Sequence, residues 1–208
     1  MSEATEQKEE EKPWVPRTRL GLLVASGKIS SLEEIFSEGY KIKEPEIVKT
    51  LLPDLKSSVI GAGIVQKQRD AGELTRYTAV VAVGNEKGWF GVGKGKGPQL
   101  RSAIDKATAA ALLSIIPVRL GCGSWECRCT QAHSLPFKVF GKGGSVRIEI
   151  IPGPRGLGLV AGESIKTLLS LVGVKDAWTR TYGSTSTTTS LAYAVYDALK
   201  KTHLLSRE

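Results

Sequence analysis

Beyond Asp54 the apolar positions fall into short alternating runs and longer helical stripes, and their order divides the chain. Val59–Gln66 reads as a strand. Tyr77–Val83 reads as a second, rich in β-branched residues and buried on at least one face, and Trp89–Val92 as a third. A polar loop, Lys67–Arg76, separates the first two, and Gly84–Gly88 turns the chain into the third. Pro98 stands where a helix can begin, and Leu100, Ala103, Ile104, Ala107 and Ala111 recur at helical spacing toward Ile115, with Pro117 closing the stretch. The pattern predicts a three-stranded antiparallel meander followed by one helix.

A second set follows: strand Pro136–Phe140, turn Gly141–Gly144, strand Val146–Ile151, a Pro/Gly loop Pro152–Gly158, and helix Glu163–Val172 ended by Gly173. A strand Ala177–Tyr182, a Ser/Thr-rich turn that also caps the next helix, and helix Ser190–Lys201 complete it. Ahead of the meander lie two short helical patterns. Ser31–Glu38 carries Leu32, Ile35 and Phe36 on one side, and Ile47, Val48, Leu51 and Leu52 form a stripe between Pro45 and Pro53. The order reads as an α+β chain: a disordered acidic tail at 1–12, a helical extension at 13–53, a first domain at 54–118, a Cys-rich connection at 119–134 and a second domain at 135–208. No repeat of about 20–50 residues is present, which excludes a solenoid.

Charge sharpens this picture. The net charge is +8, from 29 basic and 21 acidic residues. Residues 1–12 hold five Glu and two Lys, so the rest carries 27 basic against 16 acidic residues. A basic body points to nucleic acid or an anionic membrane surface. Membrane attachment needs a basic amphipathic helix, whereas these cations sit among glycines and along strands. No apolar run approaches the roughly 18 residues of a transmembrane helix, and the acidic N-terminus is no secretory signal. A soluble intracellular protein is expected. The three cysteines, Cys122, Cys127 and Cys129, make a poor disulfide framework and fit a reducing compartment.

The sharpest motif is Gly88-Trp-Phe-Gly-Val-Gly-Lys-Gly-Lys-Gly97. It nearly spells a nucleotide phosphate loop, but Gly95 stands where Ser or Thr must meet magnesium, and the preceding strands form a meander. The alternative is RNA contact: glycines would admit a phosphodiester chain closely while Lys94, Lys96 and Arg101 neutralise it, with Lys67, Arg69 and Arg76 in the same domain. Gly156-Leu-Gly-Leu-Val-Ala161 resembles a dinucleotide fingerprint with Asp176 about 20 residues on. Yet Pro152 and Pro154 intervene, and only 47 residues follow Ala161. Its glycines are expected to shape a loop that leaves Arg155 available for phosphate. Cys122-x4-Cys127-x-Cys129-x3-His133 offers four zinc-ligating side chains, although the single residue between two of them strains a tetrahedral site. Zinc and free buried thiols both stay open here. The two histidines, His133 and His203, belong to no recognisable catalytic arrangement, so no enzyme is expected. Trp125 and Trp178 are read equally as packing residues and as base-stacking platforms.

Together, Trp14–Gly21, Ile42–Ile47, Val80–Asn85, Gly88–Gly97, Pro117–Cys127, His133–Lys138, Gly144–Arg147 and Ile151–Gly158 resemble the fifth small-subunit ribosomal protein family in its archaeal form. The resemblance runs from Trp14 to about Thr202. It implies a double-stranded-RNA-binding-like domain followed by a small β-α-β two-layer domain of the ribosomal type, the latter left-handed. It also implies a non-enzymatic cytoplasmic protein of the small ribosomal subunit, without a small-molecule substrate. Such a protein would bind small-subunit ribosomal RNA, touch the fourth and eighth small-subunit proteins, lie near messenger RNA where it enters, and support decoding accuracy. The implied RNA contacts are Lys67, Arg69, Arg76, Lys94, Lys96, Lys142 and Arg155. The Cys-rich insert departs from the bacterial pattern, and the resemblance assigns it no role.

Overall fold

The computed structural model describes residues 14–127, 129 and 131–204, so the expected acidic tail lies outside the described residues. Three short helices come first: α1 (Arg19–Ala25), α2 (Leu32–Ser37) and α3 (Pro45–Leu51). The last two fall on the apolar stripes. No stripe marks α1, which starts where the Thr18 hydroxyl accepts the Gly21 N–H at 3.1 Å. Glu44 anchors this beginning, accepting from the Trp14 indole at 3.0 Å and from the N–H groups of Arg17 and Thr18 at 3.0 and 2.7 Å.

The first sheet has the order β1 (Lys56–Arg69), β2 (Gly72–Gly84), β3 (Trp89–Gly97) and β4 (Ile116–Pro117), every pair antiparallel. Residues 67–76 are therefore not a loop. Arg69 pairs with Gly72, so only Asp70 and Ala71 turn the chain, and Lys67, Arg69 and Arg76 ride on the outer end of a long hairpin. Alternation reveals a strand only where one face is buried, and here both faces meet solvent.

The Gly/Lys run is a strand as well. Gly91, Gly93 and Gly95 face the helix α4 (Leu100–Leu113), while Lys94 and Lys96 point the other way and are exposed. A Cβ on Gly93 would stand 2.2 Å from the Ala107 carbonyl oxygen, and one on Gly95 2.1 Å from that of Ala103. The glycines let the Ala103–Ala107–Ala111 stripe of α4 lie directly on the sheet. This corrects the expectation that they open the backbone to a phosphodiester chain, because their free side is filled by helix.

Both faces of β2 are covered. Ala79, Val81 and Val83 share a core with Ala103, Ala107, Leu112, Ile35, Ile47 and Val48, which joins α4 and the N-terminal helices. Val80, Ala82, Phe90 and Val92 point into a second core with Leu168, Leu169, Leu191 and Val195. The C-terminal half thus packs on the sheet face opposite α4.

That half holds β5 (Val139–Gly143), β6 (Val146–Pro152), β7 (Leu159–Val160) and β8 (Ala177–Tyr182), in the order β5-β6-β8-β7. Its helices are α5 (Glu163–Val172), capped by Gly173 at φ 101°, and α6 (Thr188–Leu204). β7 runs parallel to β8 on either side of α5, which makes the β-α-β unit. β5 starts later than the apolar pattern suggests and continues through the Gly/Lys stretch, so Lys142 belongs to a strand rather than a turn. Gly141 and Gly143 repeat the close approach of β3, with the carbonyls of Ala194 and Ser190 in α6 against them.

Candidate nucleic-acid interface

Register decides which cations stand together. In β1 and β2, Val65 pairs with Arg76, Lys67 with Leu74 and Arg69 with Gly72. Between β2 and β3, Val80 pairs with Lys94 and Thr78 with Lys96. Paired residues share a face and alternate positions return to it. Lys67, Arg69, Arg76, Lys94 and Lys96 consequently occupy one face, the one away from α4, and all five are exposed. The Ser/Thr-rich start of α6 adjoins it, since a Cβ on Gly61 would meet the Thr188 hydroxyl at 2.8 Å. Arg101 does not join them: it is exposed in the first turn of α4, on the other side of the sheet.

The second domain offers another surface, found by sequence reasoning only through Lys142. Lys142 pairs with Arg147, which pairs with Tyr182, and Phe140 pairs with Glu149, which pairs with Arg180. These residues form the sheet face opposite α6. Phe140 and Tyr182 are 56% and 54% exposed there, an unusual display for aromatics. The buried Glu149 carboxylate is ion-paired with Lys138, whose ammonium also stands 5.0 Å from the Phe140 ring centroid. Lys142, Arg147 and Arg180 stand on the same face as this pair. Cross-strand register carries the signal for this set, and one-dimensional motifs do not.

Arg155 is exposed in the loop that resembled a dinucleotide site. Asp176 Oδ1 accepts the N–H groups of Gly156 and Gly158 at 3.1 and 2.8 Å. The amides that a pyrophosphate would need are thereby occupied. The phosphate-loop alternative fails too, because β3 is antiparallel to both its neighbours.

Beside Arg155 lies the Cys-rich connection. The ligand atoms of Cys122, Cys127, Cys129 and His133 all lie within 4.8 Å of one another. Cys127 Sγ is 3.0 Å from Cys129 Sγ and 3.7 Å from His133 Nε2, and Cys129 Sγ is 3.4 Å from Cys122 Sγ. The single intervening residue does not keep Cys127 and Cys129 apart. Hydrogen bonding from Cys129, then from the Arg155 N–H, lowers the Cys127 thiol to about 6. Hydrogen bonding to Cys129 and burial push Cys122 up to about 11. Trp125, in the turn between Cys122 and Cys127, is 90% exposed and packs no core, whereas Trp178 is half-buried.

Two family models match the chain: ribosomal protein S5, N-terminal domain, over residues 55–119, and ribosomal protein S5, C-terminal domain, over residues 141–207. The chain belongs to the ribosomal protein S5 family. Archaeal relatives extend the match. It is 58% identical over 190 residues to the small ribosomal subunit protein uS5 of Thermofilum pendens, covering 91% of this chain and 94% of the relative. The uS5 protein of Cenarchaeum symbiosum is 58% identical over 193 residues, 93% of this chain and 88% of its own. That of Saccharolobus solfataricus is 53% identical over 190 residues, 91% and 89% of the two chains. As an S5 family member the chain is a structural protein of the small ribosomal subunit, not an enzyme, and a cytoplasmic location goes with that membership. The α+β fold with two sheets accords with the double-stranded-RNA-binding-like and C-terminal domains of the family. Among the described residues no helix is long and apolar enough to cross a membrane.

Proposed function

We propose that the protein holds small-subunit ribosomal RNA through the basic hairpin face, with Lys67, Arg69, Arg76, Lys94 and Lys96 on phosphates. The observation that carries this reading is the register placing all five exposed side chains on one face of the sheet while Gly93 and Gly95 serve packing. A twisted two-stranded arm beyond the core can follow an RNA backbone, where phosphate and 2′-hydroxyl contacts matter more than base edges. Lys142 and Arg155 add contacts from the second domain, and Arg101 reaches a different RNA segment from the α4 side.

In this reading residues 54–118 form the RNA-binding domain, 119–134 connect it, and 135–208 form the second domain. The fourth and eighth small-subunit proteins are its neighbours. The hairpin lies near messenger RNA where it enters, and by holding that RNA in shape it supports decoding accuracy. Small subunits carrying Lys94→Ala and Lys96→Ala together would test this. Increased misreading of a reporter codon in subunits of normal composition is expected. Unchanged misreading in fully occupied subunits would remove the decoding role.

A further inference from the structure

We infer that Cys122, Cys127, Cys129 and His133 form a structural zinc site that fastens the connection between the two domains to the Arg155 loop. This goes beyond the RNA-binding reading and does not depend on it. Three soft sulfurs and one imidazole select zinc over oxygen-loving cations, and four protein ligands leave no open position for chemistry. Tetrahedral Zn–S bonds near 2.3 Å set sulfurs roughly 3.8 Å apart, and the observed separations of 3.0 and 3.4 Å need only a small opening to reach this.

The imidazole is already oriented. His133 Nδ1 bonds Asp176 Oδ2 at 2.8 Å, with both side chains buried, which leaves Nε2 facing the sulfurs. A carboxylate holding the far nitrogen of a histidine is the usual support of a zinc ligand. Asp176 also reaches further. Its other oxygen accepts the Gly156 and Gly158 N–H groups, its carbonyl accepts the Ser134 hydroxyl at 2.5 Å, and its N–H donates to the His133 carbonyl at 3.2 Å. One residue therefore links the ligand set to the loop bearing Arg155.

The connection also needs such a fastening. Between β4 and β5 its described residues form a single β-bridge, Gly121 with Ser134, and no helix or strand. Metal binding supplies folding free energy where a core does not. The three cysteines bind as thiolates, releasing the thiol protons that remain, and His133 binds through Nε2.

The test is elemental analysis and native mass spectrometry of the full chain purified without chelators. One zinc per chain is expected, and cobalt exchanged into the site should give the absorption of a tetrahedral three-sulfur, one-nitrogen complex. Cys129→Ser should lose most of the metal. In Asp176→Asn the amide faces His133 with a donor and favours the wrong tautomer, so zinc affinity should fall about 10–100-fold. Removing zinc from the unmodified chain should raise hydrogen exchange at Gly156 and Gly158, a readout that needs no variant to fold. Three results would overturn the proposal: zinc far below one per chain, full zinc retained by Cys129→Ser, or an intact mass two hydrogens light from a Cys127–Cys129 disulfide.

Discussion

Gly93→Ala separates the packing role of the β3 glycines from a direct role at RNA. Gly93 has an ordinary strand φ, so alanine meets no backbone penalty, and its added methyl decides the outcome. That methyl would lie 2.2 Å from the Ala107 carbonyl oxygen and 2.3 Å from the Ala111 N–H nitrogen, both backbone atoms of α4. Ordinary contact begins at 3.4 Å, so helix and strand must part by about 1.2 Å. Overpacking of this kind costs about 1–3 kcal/mol, and rigid backbone on both sides places it at the upper end. The smaller conformational entropy of the unfolded alanine chain returns about 0.4–1 kcal/mol. A net loss of about 2 kcal/mol should lower Tm by roughly 4–8 °C for a chain of this size. Thermal and urea unfolding of the free protein measure it, alongside the salt dependence of RNA binding at a temperature where both forms are folded. The salt slope should not change. Unchanged stability with weakened RNA binding would refute the packing role.

Lys94→Ala with Lys96→Ala should leave Tm unchanged and flatten the salt dependence of RNA binding by about 1.5–2 units of slope, and an unaltered slope in a salt titration would exclude phosphate contact. Gly141→Ala should destabilise the second domain as Gly93→Ala does the first, since its methyl would meet the Ala194 carbonyl oxygen at 2.0 Å; calorimetry reads the shift. Trp125→Ala should alter stability by less than about 0.5 kcal/mol, as expected for an exposed site, while reducing incorporation into subunits in a competition assay. Burial works to raise the Asp197 pKa, but hydrogen bonds from the Lys201 ammonium and the Lys142 N–H outweigh it and hold the carboxyl below its ordinary value. Its contribution is present above the unfolded pKa and lost as pH falls through the lower folded one. Asp197→Asn should therefore flatten the acid side of the stability profile, as followed by urea unfolding.

Buried elements are legible in the sequence because burial imposes a period. Glu163–Val172, whose Ile165, Leu168, Leu169 and Val172 are buried, has the same bounds in the sequence pattern and in the fold. The outer hairpin arm and the Gly93–Gly97 half of β3 escape the pattern for one reason: a strand exposed on both faces, or one whose inward residues are glycine, shows no apolar alternation. Glycine every second residue is itself a strand signal when an alanine-stripe helix follows, as Ala103, Ala107 and Ala111 do here. The cations were identifiable as residues, but their grouping depends on register. The same holds for Phe140, Arg147, Arg180 and Tyr182, which converge only through pairing. Asp176 belongs to the same class, 43 residues from the histidine it orients.

Photocrosslinking of intact small subunits, with the RNA-bound peptides sequenced by mass spectrometry, tests most directly whether the hairpin face meets ribosomal RNA. Adducts should fall on the stretches around Lys67–Arg76 and Lys94–Lys96, joined to the same region of small-subunit RNA. Adducts confined to the second domain, with the hairpin peptides recovered free of RNA, would contradict it.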